Sequence, residues 1–155
     1  MNARVAVRAV LLLAFVSPYA LAALAVLVTD AEVAREASHA ATASDPVARA
    51  APAPGAPQIE VRSPARLEGL KAPFPIHVEF RAREGAEVLP STFRVYYGLL
   101  KLDITERVLQ RARVDKSGVL IEEAAIPAGS HRLLLQIKDS LDRVGETSLS
   151  LQVRP

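Results

Sequence analysis

The histidines are the residues best suited to metal or acid–base chemistry, because the 155-residue chain has three of them and no cysteine. His77 and Glu79 stand two positions apart in an alternating segment, so both side chains would lie on the same side of a strand, as two ligands of one metal ion require. Two ligands do not make a site, and His39 falls far away in an alanine-rich segment. We therefore predict no metal ion and no other cofactor.

Acidic residues offer a second kind of chemistry. Asp139 and Asp142 stand in a polar turn and could supply oxygen ligands to Ca²⁺, but the Asp-x-Asp-x-Asn-Gly spacing of a dedicated calcium loop is missing. Turn residues that cap their own backbone are the favoured interpretation. Glu122 and Glu123 are adjacent, so in a strand they point to opposite faces and cannot act as a catalytic carboxylate pair.

The sequence also lacks the usual motifs of nucleophilic and phosphate chemistry. It has no Gly-x-Ser-x-Gly elbow and no glycine-rich phosphate loop, and its serines fall in turns or on the outer face of the last strand. Residues 58–155 contain 15 lysines and arginines against 13 aspartates and glutamates, without a basic block that would follow a phosphate backbone. The chain is predicted to be neither an enzyme nor a nucleic-acid-binding protein.

An export or anchoring signal is predicted at residues 1–28, where two arginines precede an uncharged apolar run at 9–28. Pro18 interrupts the run, and small-x-small triplets follow at 20–22 and 23–25, as before a signal-peptide cleavage site. The length of the run instead suits a single transmembrane helix. Because a basic flank stays in the cytoplasm, both alternatives export the domain. It then stays anchored on the periplasmic side of a bacterial inner membrane, or becomes soluble in the periplasm or medium after cleavage.

Residues 29–57 are predicted to form a disordered linker, since 31–57 contain 11 alanines and 4 prolines. The Ala-Pro-Ala-Pro-Gly-Ala-Pro run at 51–57 cannot be helical, because each proline removes a backbone donor. The alanine-rich part at 31–43 could form transient helix. Behind an uncleaved anchor, such a linker would act as a spacer of roughly 3 Å per residue in its proline-rich part.

Residues 58–155 alternate between apolar and polar side chains, with turn signals about every dozen residues. This pattern is typical of an all-β sandwich, and we predict an immunoglobulin-like one with seven strands, ending in a hairpin at 127–153. One segment breaks the rhythm. Asp103 followed three residues later by Glu106 resembles a helix N-terminus, which predicts a short helical turn and an exposed pairing of Asp103 with Arg107.

The end of the chain resembles bacterial immunoglobulin-like domains. The resemblance is carried by Pro-Ala-Gly-Ser-His-Arg-Leu at 127–133, by Ile-Lys-Asp at 137–139 and by Gly145, and it covers 58–155. The chain departs from that pattern at 139–143, where Asp-Ser-Leu-Asp-Arg replaces the common Asp-x-Ala-Gly-Asn. The resemblance implies a fold and no function: such domains are spacers, adhesion or docking modules of exported proteins, or exported proteins of unknown role.

His131 falls at a corner of the predicted sandwich, immediately before a strand. At such corners these sandwiches often use a side chain to hydrogen-bond the backbone a few residues upstream. We therefore predict a structural role for His131 in place of a catalytic one.

Two side chains on otherwise polar faces are the candidates for recognition. Tyr96 and Leu134 fall on the outward side of their strands, and tyrosine is enriched in interface cores. If they share a face, Arg94, Arg132 and Gln136 flank them and form a small docking surface. The sequence thus favours a non-enzymatic module that docks another cell-envelope protein in trans. The alternative is a binder of an anionic envelope polymer or lipid, with a small hydrolase third.

Overall fold

The computed structural model describes residues 26–40, 54–83 and 85–155. Within these ranges the strands are β1 (Gln58–Ser63), β2 (Phe74–Arg81), β3 (Val88–Tyr97), β4 (Leu102–Asp103), β5 (Arg113–Val114), β6 (Gly118–Ala124), β7 (Gly129–Asp139) and β8 (Val144–Val153). The helices are α1 (Asp30–Ala40) and α2 (Thr105–Leu109). One sheet has the order β1-β2-β6-β5 and the other β4-β3-β7-β8, with antiparallel neighbours throughout. The predicted immunoglobulin-like sandwich is confirmed. The described residues form eight strands where seven were predicted, and two of the eight, β4 and β5, are only two residues long.

The core lies between the two sheets and follows directly from the alternation. In β2, Phe74, Ile76, Val78 and Phe80 are buried while the residues between them are more exposed. The Phe80 ring meets Phe93 of the other sheet at a centroid distance of 5.7 Å and a tilt of 50°, within the range for favourable aromatic pairs. The second sheet supplies the opposing layer: Phe93, Val95, Tyr97, Leu133, Leu135, Ile137, Leu149, Leu151 and Val153.

The N-terminal segment, residues 26–40, is part of this domain, which corrects the boundary predicted at residue 58. Val26 forms a parallel bridge with Ala125, and the Leu27 N–H donates to the Ala125 carbonyl at 3.1 Å. Leu27 and Val28 are 3% and 0% exposed within the core. The last three residues of the predicted membrane segment therefore belong to the sandwich: Leu27 and Val28 fill space in its core, and Val26 joins it through the bridge to Ala125 while its side chain stays exposed. Residues 1–25 of the predicted signal lie outside the described residues.

A helix replaces the first part of the predicted disordered linker. Thr29 and Glu32 form a capping box: the Thr29 N–H and hydroxyl donate to the Glu32 carboxylate at 2.8 and 2.9 Å, and the Glu32 N–H donates to Thr29 Oγ1 at 3.3 Å. These contacts satisfy backbone N–H groups at the helix N-terminus, which have no acceptor within the helix, so α1 begins at Asp30. Residues 41–53 of the predicted linker lie outside the described residues. No helix in the described part of the chain combines the length and apolar character needed to cross a bilayer.

The predicted helical turn is confirmed as α2, but its predicted ion pair is wrong. Asp103 Oδ1 accepts the Thr105 N–H at 2.8 Å. The Arg107 guanidinium instead binds both carboxylate oxygens of Glu32 at 2.8 Å. The long-range partner offers Arg107 a bidentate contact, which is stronger than an exposed pair four residues apart on a helix.

Candidate docking surface

The five residues predicted to bind a partner lie on the outer face of the β4-β3-β7-β8 sheet, called here the Tyr96 face. Its middle row places Leu134 between Tyr96 and Ser148 on the neighbouring strands. The next row places Gln136 between Arg94 and Glu146, and on the other side Arg132 lies opposite Ser150. Since the side chains of residues in register share a face, the geometric condition of the prediction is met. Binding itself remains a prediction.

Leu134 contributes less to this face than the sequence suggests. Its side chain faces outward, yet the residue is only 9% exposed. Alternation decides the side of a sheet to which a side chain points, whereas coverage depends on the bulk of its neighbours. Tyr96 remains partly exposed in the same row, so the accessible aromatic surface of the face comes from Tyr96.

The polar residues around Tyr96 are partly held by the protein itself. The Gln136 amide donates to Glu146 at 2.7 Å, and the Arg94 guanidinium donates to the Phe93 carbonyl at 2.8 Å. Arg94 and Arg132 are both exposed. The Tyr96 face thus presents a tyrosine between two arginines, with the exposed Asp103 opposite Tyr96 on β4 and small serines on the β8 side.

The opposite outer face, on the β1-β2-β6-β5 sheet, is a network of compensated charges. Arg62 binds Glu60 and Glu79 at 2.8 Å, and Arg81 lies 3.5 Å from the same two carboxylates. The hydrogen bond from Arg62 holds the pKa of Glu79 below its usual range. Glu79 is therefore committed to the arginines and not to His77 as a metal ligand.

In the described part of the chain, no group of three or more His, Asp or Glu side chains is placed to hold a metal ion. His39 lies on α1 and not in a disordered linker. The remaining candidates are the turn carboxylates and His131.

Asp139 is a structural residue of the β7–β8 turn, as predicted. It is fully buried, and its Oδ1 accepts the N–H groups of Leu141 and Arg143 at 3.0 Å. The Arg143 Nε donates to Oδ2 at 2.7 Å. Burial alone would raise the pKa of Asp139, but these hydrogen bonds outweigh it and hold the pKa below its usual value. Asp142 projects into solvent with its carboxylate 3.8 Å from the Lys138 ammonium.

His131 makes the predicted hydrogen bond to upstream backbone, at 2.9 Å from its Nε2 to the Pro127 carbonyl. A carbonyl oxygen only accepts, so Nε2 carries the proton and Nδ1 accepts from the Tyr97 hydroxyl at 3.1 Å. Burial lowers the pKa of His131, and burial together with the nearby Glu36 and Glu32 raises the pKa of Tyr97 to about 12. Both ring nitrogens are occupied and the ring is 2% exposed, which does not suit a catalytic base.

A groove of about 580 Å³ lies between α1 and the strand ends beside His131. Val33, Glu36 and Ala37 line it from the helix, and Leu67 and Leu99 line it from the loops. Polar and charged side chains also line it: Glu68, Ser130, Arg132, Ser150 and Gln152.

The contacts that fix α1 to the sandwich were missed by the sequence reasoning. Besides the Glu32–Arg107 pair, the Glu36 carboxylate accepts the Leu99 N–H at 2.8 and 2.9 Å over Gly98. Gly98 has φ +71°, and a Cβ there would collide with the Glu36 carboxylate. The Thr-x-x-Glu pattern at 29–32 is the one local signal that could have revealed the helix.

Replacing Glu32 with glutamine should loosen the N-terminal segment. Hydrogen bonding from Arg107 lowers the pKa of Glu32 from 4.5 to about 2, a shift equivalent to about 3 kcal/mol. Because the Arg107 side chain is 36% exposed, solvent screening reduces the expected loss to about 1–2 kcal/mol. A carboxylate with a depressed pKa stabilises above the unfolded value, so the loss should be complete above pH 4.5 and vanish towards pH 2.

Urea denaturation of wild type and Glu32→Gln at pH 7 and pH 3 measures this difference. Glu106→Gln, at an exposed glutamate next to Arg107, is the matched control and should stay near wild type. An equal loss of stability for Glu32→Gln at both pH values would contradict the assignment.

No protein-family model matches the sequence, and no curated protein matches it. Among solved structures, the chain is similar to CopC from Methylosinus trichosporium OB3b at 13% identity and a TM-score of 0.42, covering 63% of this chain and 94% of that one. It is also similar to fibronectin(III)-like modules of Clostridium thermocellum CbhA at 18% identity and a TM-score of 0.38, covering 62% of this chain and 94% of that one. Similarity at this level carries nothing about activity.

Proposed function

We propose that the chain is an exported, non-enzymatic immunoglobulin-like module that docks another cell-envelope protein through the Tyr96 face. The observation that carries the proposal is the register, which gathers a partly exposed tyrosine and two exposed arginines on one face. Tyrosine and arginine are the side chains that most often dominate protein interfaces. The arginines on opposite sides of Tyr96 also suit an anionic envelope polymer, which is the second candidate.

The opposite outer face supports this choice by contrast. Its arginines and glutamates already neutralise one another. A partner that bound there would have to replace these exposed ion pairs with its own, and exposed pairs contribute little free energy. On the Tyr96 face, the hydroxyl and ring of Tyr96 can be buried without breaking a charge pair.

The N-terminal run is proposed to hold the module directly at the membrane. Because the sandwich already includes residues 26–28, residues 29–57 do not separate the domain from the run as a spacer would. If the run is instead removed, the domain still begins at residue 26 and the released module keeps its core intact. The mature N-terminus, read by mass spectrometry of the protein from its native envelope, decides between these two states.

Tyr96→Ser should weaken partner binding by at least about tenfold while leaving the thermal unfolding midpoint close to wild type, since losing an interface tyrosine costs about 2 kcal/mol. The measurement is retention of a stoichiometric protein from solubilised membranes on the immobilised full chain. Leu120→Ser, at a 37% exposed residue on the opposite outer face, is the matched control and should retain the partner.

Equal retention by Tyr96→Ser and wild type would sink the docking proposal. Binding to purified wall polymer that falls steeply with salt and is lost in Arg132→Ser would favour the second candidate. Substrate turnover by the full chain that disappears in a folded His77 variant would favour a hydrolase.

A further inference from the structure

We infer that one end of the sandwich lies on the lipid surface, with the turn between β3 and β4 dipping into the membrane interface. The surface consists of Val26, Leu100 and Leu102, and is called here the leucine tip. This inference rests on the proposed anchoring of the N-terminal run and names a contact of the folded domain that anchoring alone does not require.

The turn between β3 and β4 presents apolar side chains to solvent at its tip. Leu100 is 53% exposed and Leu102 is 37% exposed, with exposed Lys101 between them. The Lys101 N–H closes the turn on the Gly98 carbonyl at 3.3 Å, and Lys101 adopts a positive φ of 50°. Leucines flanking a lysine suit an interface, because the leucines enter the acyl region while the ammonium extends towards the headgroups.

Contacts within the fold place this turn at the same end as Val26. The Leu27 carbonyl accepts from Arg107 at 3.3 Å, and Arg107 binds Glu32. Glu32 lines a small cleft together with Leu100 and Leu102. The point at which the chain enters the domain therefore lies at the same end as the exposed Leu100 and Leu102.

Two of the acidic residues at this end are held by the protein itself, whereas Asp30 and Asp103 are exposed. Glu32 is neutralised by Arg107 through two contacts of 2.8 Å. The Glu36 carboxylate is engaged by the Leu99 N–H. Contact with the bilayer would accordingly be driven by burial of apolar area and not by attraction to anionic lipid.

Chain length explains why the tip should reach the interface. Since residues 26–28 belong to the sandwich, the apolar run that remains is the 17 residues 9–25, about 25 Å long as a helix against about 30 Å of hydrocarbon. A span shorter than the hydrocarbon thickness is accommodated by thinning of the bilayer around it and by flanking residues that stay at the interface. Here the flank is the leucine tip itself.

Exposure alone would not select this end, because the opposite end carries Leu141 at 60% exposure in the β7–β8 turn. β3 and β7 run the length of the sandwich, so the two turns are separated by about 30 Å. Only the Leu100 end adjoins the apolar run. Leu141 is therefore a matched control: equally apolar, at least as exposed, and remote from the proposed membrane.

The test uses tryptophan, which the natural chain lacks. Leu100→Trp and Leu141→Trp are each made in the full chain and reconstituted into phosphatidylcholine vesicles with and without bromine on the acyl chains. We expect emission from Leu100→Trp to shift to shorter wavelength and to be quenched by brominated lipid, with no change for Leu141→Trp. Leu102→Trp serves as a second reporter should Leu100→Trp fail to fold.

Flotation of the same samples separates this inference from the anchoring on which it rests. Vesicle-bound protein whose tryptophan at position 100 or 102 is unquenched would overturn the leucine tip and leave the anchor standing. Equal quenching at positions 100 and 141 would also overturn it. Protein that fails to float with the vesicles would overturn both proposals.

Discussion

Val28→Asp should prevent folding of the whole sandwich, although Val28 belongs to the run that the sequence assigns to a membrane segment. Val28 is 0% exposed and packs with Leu27 in the core. Burying an unpaired carboxylate there costs several kcal/mol, a large part of the about 5–15 kcal/mol that stabilises a typical domain. Circular dichroism and thermal unfolding of the full chain measure the effect.

Val26→Asp is the matched control, because it adds the same charge to the same run at a residue that is 50% exposed. It should fold with a melting midpoint near wild type. The milder Val28→Ala should fold and lose about 1–3 kcal/mol, since a buried side chain is shortened. A wild-type melting curve for Val28→Asp would show that residues 26–28 are dispensable to the core.

Residues 26–28 belong both to the apolar run and to the sandwich, and this explains why the sequence predicts the start of the domain too late, at residue 58. Composition predicts a linker at 29–57 because alanine and proline dominate it. The apolar character of Val28 assigns it to the signal at 1–28. The capping box at Thr29 and Glu32 contradicts that assignment locally, but a four-residue pattern carries little weight against a long compositional trend. Arg107, the residue that completes the contact, lies 75 positions away, so no local pattern could identify the pair.

Strand alternation, by contrast, predicted most of the sandwich and the common face of Tyr96 and Leu134. It succeeded because one face of each strand is buried and a slip by one residue would expose the core. It could not predict that Leu134 is nearly covered, since coverage depends on which side chains stand on neighbouring strands. The role of His131 was predictable because a corner before a strand restricts what a buried imidazole can bind. Its contact with Tyr97 was not predictable, because the two residues are 34 positions apart and only the fold brings them together.

The anchored domain has a definite orientation if both proposals hold. The antiparallel strands β3 and β7 would stand upright on the bilayer, with the leucine tip on the lipid and the Asp139 turn farthest from it. The Tyr96 face would then lie on the side of the module and remain open to a partner. An interface with lipid at one end and with protein on a side is compatible with a single small sandwich, because the two surfaces use different residues.

His131→Ala should destabilise the sandwich by about 2–4 kcal/mol, because it removes a buried ring and leaves the Tyr97 hydroxyl and the Pro127 carbonyl without their partner. The wild type should also lose stability in mild acid. Burial depresses the pKa of His131 below its usual 6.5, so unfolding takes up a proton below that pH. The neutral imidazole contributes fully above pH 6.5, and its contribution declines as the pH falls further.

His131→Gln separates the hydrogen bond from the titration, since an amide can still donate to the Pro127 carbonyl but carries no charge in mild acid. We expect this variant to be less stable than wild type at pH 8 and to lose less stability between pH 7 and pH 5. Tyr97→Phe should keep the acid sensitivity and cost about 1 kcal/mol, since only one hydrogen bond is lost. Urea denaturation across this pH range measures all three, and an acid dependence that survives unchanged in His131→Gln would assign the titration to another group.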